Sequence, residues 1–171
     1  MATLYLLRHL KSSWAVAGQP DFDRPLAPRG RKAGRAVARY LARARIRPEL
    51  VLCSAARRTR STLELVGADW TDVDACIERA LYEASDKVLL ERLRAVPDLV
   101  GSIMLIGHNP GLERLTMLLC AGRGDEQGLE QIEAKFPTGA LAVLEPDSAS
   151  WADLGRGRCQ LQTFVRPSDL E

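Results

Sequence analysis

The chain has 171 residues, 46% of them hydrophobic and 27% charged, with a formal net charge of +2. That length suits one domain whose core needs no staples, and that charge implies no strong global attraction to nucleic acid or to an anionic membrane. Cys53, Cys76, Cys120 and Cys159 form no C-x-x-C pair, and two histidines are too few to complete a zinc site with them. Arg8 interrupts the N-terminal apolar run too early for a signal peptide, and no apolar run approaches the ~18 residues of a membrane span. The expectation is a soluble, cytoplasmic protein with reduced cysteines, no metal and no cofactor.

Thr3 to Leu7 reads as a short strand buried on both faces, ending in Arg8-His9. A long mixed loop follows from Leu10 and carries Lys11-Ser12-Ser13-Trp14 and Asp21-Phe22-Asp23-Arg24-Pro25-Leu26. A first helix is predicted from Pro28, with Ala33, Val37, Tyr40, Leu41 and Ala44 inward. Arg31, Arg35, Arg39 and Arg43 form a ladder on the opposite face, read as solvated surface. The strand Glu49–Ser54 runs into a second helix with Ser54 as its cap and Arg57, Arg58 and Arg60 in its first turns. Three cations there oppose the helix dipole, a local conflict of the kind that marks a site.

A strand near Asp74–Ile77 is followed by Leu81 to Ser85 and then a third helix. Asp86 is its predicted cap, with Val88, Leu89, Leu93 and Val96 inward. Ser102–Ile106 is the next strand and leads through Gly107-His108 into a helix capped by Asn109 with Pro110 at its first position. Gly122 to Pro137 reads as polar with one weak helical turn near Leu129–Ile132. A strand at Ala140–Leu144 follows, and Trp151–Leu154 with Cys159–Val165 reads as an edge hairpin. The alternation of strands and helices predicts a three-layer α/β/α sandwich with a mainly parallel sheet, occupying residues 1–171 as one domain.

Ligands bind beyond the carboxyl ends of the strands in open α/β sheets. Both histidines, His9 and His108, stand at such ends. Together with Arg8 and Arg58 they make an anion pocket suited to a phosphoryl group. No GxxxxGK[ST] loop and no acidic cluster for Mg²⁺ is present. Phosphoryl transfer then needs a nucleophile and positive charge around the phosphoryl oxygens. His9 suits the nucleophile, His108 a donor to the phosphoryl oxygens, and Glu83 a proton donor to the leaving group.

Arg8-His9, Ser54 through Arg58, and Gly107-His108 together resemble the histidine phosphatase superfamily, with its phosphoglycerate-mutase-like fold. The short form is similar to the SixA-type phosphohistidine phosphatases. Lys11 to Trp14, Asp21 to Leu26, Arg29-Gly30, His108 to Gly111 and Phe136 to Ala140 support the likeness, which runs to about Glu145. The resemblance implies His9 as the phosphorylated nucleophile, with Arg8, Arg58 and His108 on the phosphoryl group. It also implies Arg24 in substrate binding and Glu83 as the acid. The superfamily often has glycine after Arg-His, where this chain has Leu10. About fifty residues separate Arg58 from His108, too few for the lid of larger members. An open site suits a phosphohistidine on a protein substrate. The alternatives are a small phosphate ester as substrate, or a non-catalytic phosphate-binding module using the arginine ladder. Neither nucleic acid nor membrane is an expected partner.

Overall fold

The computed structural model describes residues 2–171. Among these, a six-stranded sheet is formed by β1 (Thr3–Arg8), β2 (Leu50–Ser54), β3 (Asp74–Glu78), β4 (Ser102–Gly107), β5 (Leu141–Pro146) and β6 (Cys159–Val165). The strand order is β3-β2-β4-β1-β5-β6. The first four run parallel, β5 pairs antiparallel with β1, and β6 pairs antiparallel with β5. The sheet is thus mixed, parallel where the predicted site lies.

Side chains alternate across it as the pleat requires. Leu4, Leu6, Leu52, Ile103 and Leu105 enter one core. Leu7, Val51, Cys53, Met104 and Ile106 enter the other. Helices α1 (Pro28–Arg43) and α2 (Arg57–Val66) cover the second core. The first is covered by α3 (Asp86–Arg94), α4 (Gly111–Cys120) and α5 (Glu126–Ala134). This is the three-layer sandwich the alternation implies, with both faces of the parallel strands covered. No helix among the described residues is long and apolar enough to cross a membrane.

Several local expectations differ from the structure. Ser54 does not cap α2. The cap position is Ala56, whose N–H donates 3.3 Å to Ser54 Oγ. Ser85 rather than Asp86 caps α3, accepting from the Val88 N–H at 3.2 Å. Val88 is exposed, as is Ala44, which lies just past the end of α1. Pro110 takes the cap position of α4, while the Asn109 carboxamide oxygen accepts from the Glu113 N–H. The weak turn near Leu129 is a full helix, because Asp125 caps it and Leu129 and Ile132 are buried. Trp151–Asp153 is a 3₁₀ turn, not a strand. Its indole is buried in the core with Nε1–H donated to the Val100 carbonyl, and β6 pairs with β5 instead. The ladder arginines are all exposed, as expected.

Candidate active site

Strand register assembles the site. Arg8 stands opposite Gly107 in the β1–β4 pair, and the His9 N–H donates to the Gly107 carbonyl at 3.1 Å. His9 and His108 therefore leave adjacent strand ends together, with ring centroids 5.3 Å apart. On the other side of β4, Cys53 pairs with Ile106, which carries Ser54 alongside Gly107-His108. Arg58, one residue into α2, joins them. Arg8, His9, Arg58, His108, Glu83 and Arg24 all line a single cavity of about 310 Å³. All six residues expected in the site are brought together. Arg57 is exposed, whereas Arg58 is buried, which agrees with the spacing from Ser54.

The two imidazoles are held in defined states. His9 Nδ1 lies 2.7 Å from the Leu10 carbonyl, which can only accept, so Nδ1 carries the proton and Nε2 keeps its lone pair. His108 Nε2 lies 2.8 Å from Ser54 Oγ. Ser54 is fully buried, and among the described residues its hydroxyl proton has no other acceptor, so that proton goes to Nε2 and leaves the His108 proton on Nδ1. Burial pushes the His9 pKa down to about 3. The Leu10 hydrogen bond opposes this, and His108, Arg58 and Arg8 reinforce it. His108 falls to about 4 through burial and the Arg58 charge, with Asp21 acting against them. Both rings are neutral at neutral pH.

Arg8 donates through one terminal nitrogen to the Phe136 carbonyl at 2.9 Å, an oxygen that also receives the Asn109 carboxamide. Its Nε has no partner. Among the described residues, Arg8 Nε and His108 Nδ1 are the buried side-chain nitrogens and oxygens without a hydrogen bond. An unpaired buried donor costs about 1–3 kcal/mol, and both residues line the same cavity.

Asp21 was not singled out from the sequence, yet it is central. The 3₁₀ turn Asp21–Asp23 directs its carboxylate to Arg58 at 2.9 Å and Arg24 at 3.0 Å, and it also accepts from the Tyr82 hydroxyl. Burial favours its neutral form, but hydrogen bonds from Tyr82, Arg24 and Arg58 prevail and hold it well below the usual carboxylate range. Tyr82 is pushed up to about 12 by burial and by its bond to Asp21, and its ring meets His108 edge-on at 5.5 Å. An acid three residues before an arginine was the available signal, inside a motif already noted. Arg24 spends all three nitrogens on Ser13, Asp21 and Ser12. It lines the cavity while tying the loop together.

Leu10 does not obstruct the site. It is fully buried, its side chain packs against Gly34 and Gly139, and its N–H donates to Thr62 Oγ1. Glu83 is exposed at the cavity with φ of 55°, the left-handed region a non-glycine residue seldom occupies. Such strain gathers at functional sites. No group of three or more metal-ligating side chains occurs among the described residues.

The family model of the histidine phosphatase superfamily, branch 1, matches residues 4–89. The uncharacterized protein Rv1276c of Mycobacterium tuberculosis is 35% identical over 162 residues, 94% of this chain and 99% of its own. The chain belongs to the histidine phosphatase superfamily. As a member of it, the protein is a phosphatase with the phosphoglycerate-mutase-like fold. A solved structure from Agrobacterium tumefaciens, provisionally named phosphohistidine phosphatase SixA, superposes with a TM-score of 0.80 at 32% identity. The match covers 97% of this chain and 98% of that one. A second, from Nakamurella multipartitia and provisionally given the same name, has a TM-score of 0.82 at 29% identity, covering 97% and 96%.

Proposed function

We propose that this phosphatase removes phosphoryl groups from phosphohistidine on a protein substrate, through a covalent phosphoryl-His9 intermediate. The observation that carries the reading is the pair of unpartnered donors, Arg8 Nε and His108 Nδ1, on the residues adjoining an imidazole whose Nε2 is fixed as a lone pair. A phosphoryl oxygen is the acceptor those donors lack. Arg58 adds a second guanidinium, held in place by Asp21.

In the first step the His9 Nε2 lone pair forms a bond to phosphorus as the bond to the leaving nitrogen breaks. The leaving imidazole departs neutral when its second nitrogen keeps a proton. Water then attacks phosphorus, the phosphorus–His9 bond breaks, and phosphate leaves with His9 neutral again. Glu83 is the carboxylate available at the cavity to take the water proton, or to donate one to an alkoxide leaving group.

Two features favour a protein-borne group. The chain between Arg58 and His108 is used up by α2, β3, a 3₁₀ turn, α3 and β4, with nothing inserted over the cavity. Two structural relatives carry the SixA name in their provisional assignments. Glu83 at the cavity favours the second reading, a small phosphate ester, since an ester oxygen needs protonation more than an imidazole does. Residues 1–171 would act as one catalytic domain. Its four free cysteines suit a reducing cytoplasm.

The test is phosphate release from a phosphohistidine peptide and from a panel of sugar phosphates, with wild type and His9→Ala. The reading expects higher kcat/KM on the peptide and none with the variant. A preference for the sugar phosphates would replace it with the second reading.

A further inference from the structure

A groove of about 600 Å³ runs from the catalytic cavity, sharing Lys11 and Thr138 with it. Arg29, Lys32 and Arg39 line it from α1, with Ala33 and Ala36 between them. Those positions recur at three- and four-residue steps and form one helical face. This face differs from the arginine ladder read from the sequence, sharing only Arg39 with it. Lys11, Arg29, Lys32 and Arg39 are exposed and take part in no ion pair among the described residues. Arg166, also in the lining, is neutralised by Asp169, and Glu171 supplies the lining's one side-chain carboxylate. Pro137 and Leu170 add apolar surface beside the two alanines.

We infer that this groove binds an acidic segment of the polypeptide that carries the phosphorylated residue. The inference rests on the protein-substrate reading above and names a second contact for it. Four unpaired cations on a protein of net charge +2 concentrate positive potential on one side of the site. Acidic side chains complement the rim, and small apolar side chains complement the alanine and proline surface. Nucleic acid fits less well, because the lining offers no aromatic face for base stacking. A phosphoryl group in the cavity and its flanking chain in the groove can be held at once, since Lys11 and Thr138 border both. Such complementarity steers encounter and selects partners.

The experiment compares two synthetic phosphohistidine peptides, one flanked by glutamate and alanine and one by glutamine and alanine, with phosphoramidate as a small control. The variants are Arg29→Glu/Lys32→Glu and the milder Arg29→Gln/Lys32→Gln, both outside the catalytic cavity. Exposed charge pairs are individually weak, so reversing two should cost on the order of tenfold. Wild type should prefer the acidic peptide through KM, the preference fading with added salt. The Glu pair should abolish that preference and the Gln pair reduce it, with phosphoramidate turnover unchanged in both. Equal turnover of the two peptides by wild type, or a preference that survives charge reversal, overturns the inference. Hydrolysis of phosphoramidate and of neither peptide overturns the protein-substrate reading itself. Inhibition by a short RNA where the unphosphorylated acidic peptide has no effect would assign the groove to nucleic acid and overturn the proposal.

Discussion

Lowering the pH from 7 to 5 should destabilise the protein chiefly through its two histidines. His9 titrates at about 3 and His108 at about 4 in the fold, against 6.5 for an exposed imidazole. Between 6.5 and those values the unfolded chain binds protons that the folded chain refuses, so stability falls as pH falls. At pH 5 each unfolded imidazole is protonated and each folded one is not, which costs about 2 kcal/mol per histidine, or about 4 kcal/mol for both. Both side chains are buried, so solvent screening does not reduce the figure much. Urea unfolding at pH 7 and pH 5 reads the loss. His9→Asn and His108→Gln should each remove about half of it, which separates the histidines from the carboxylates. Because the chain has only two histidines, nitrogen NMR follows both directly. It should place the His9 proton on Nδ1 and show no titration down to pH 5. A midpoint near 6.5 for either ring, or wild-type pH sensitivity in both variants, would show that burial does not hold these imidazoles neutral.

Three further outcomes follow from particular contacts. Arg58→Ala should lower turnover by on the order of 10²–10³ with the fold intact, and Arg58→Lys should restore part of it, since lysine lacks the bidentate fork. Arg57→Ala should behave as wild type in steady-state kinetics, because Arg57 is exposed. Activity should survive extensive EDTA treatment: of the two carboxylates at the cavity, Asp21 is committed to Arg24, Arg58 and Tyr82. Recovery of lost activity on adding a divalent ion would contradict this. Gly30→Ala would drive its Cβ into the Lys11 carbonyl oxygen, one residue beyond Leu10. It should cost about 1–3 kcal/mol in urea unfolding and lower kcat as well, since Leu10 fixes the His9 ring.

Strand-end histidines, apolar runs and the arginine conflict in α2 were legible because each is a short-range signal with a physical cost. Ile103 to Ile106 is a continuous apolar run of strand length, and the arginines in the first turns of α2 oppose the helix dipole, a conflict that Arg58 answers by meeting Asp21. Ser54 was legible as a polar strand end, but its role was not: α2 starts two residues later than a Ser54 cap requires, and only the β2–β4 register sets the Ser54 hydroxyl against His108. Asp21 and Tyr82 are 61 residues apart in the chain, and no periodicity links them. The α5 helix was understated because its helical pattern rests on two inward aliphatic residues, Leu129 and Ile132, while its start depends on the Asp125 cap. Leu10 looked like a departure at the nucleophile. It is accommodated because Gly34 and Gly139, distant in sequence, leave room for its side chain.

The proposed function turns on His9 carrying the phosphoryl group. Rapid-quench intact-mass analysis of wild type, mixed with a phosphohistidine peptide and with phosphoramidate, measures it directly. A transient adduct of one phosphoryl group is expected, stable in alkali and labile in acid, mapping to His9 and absent from His9→Ala. Full turnover by His9→Ala, or an acid-stable adduct on another residue, would contradict it.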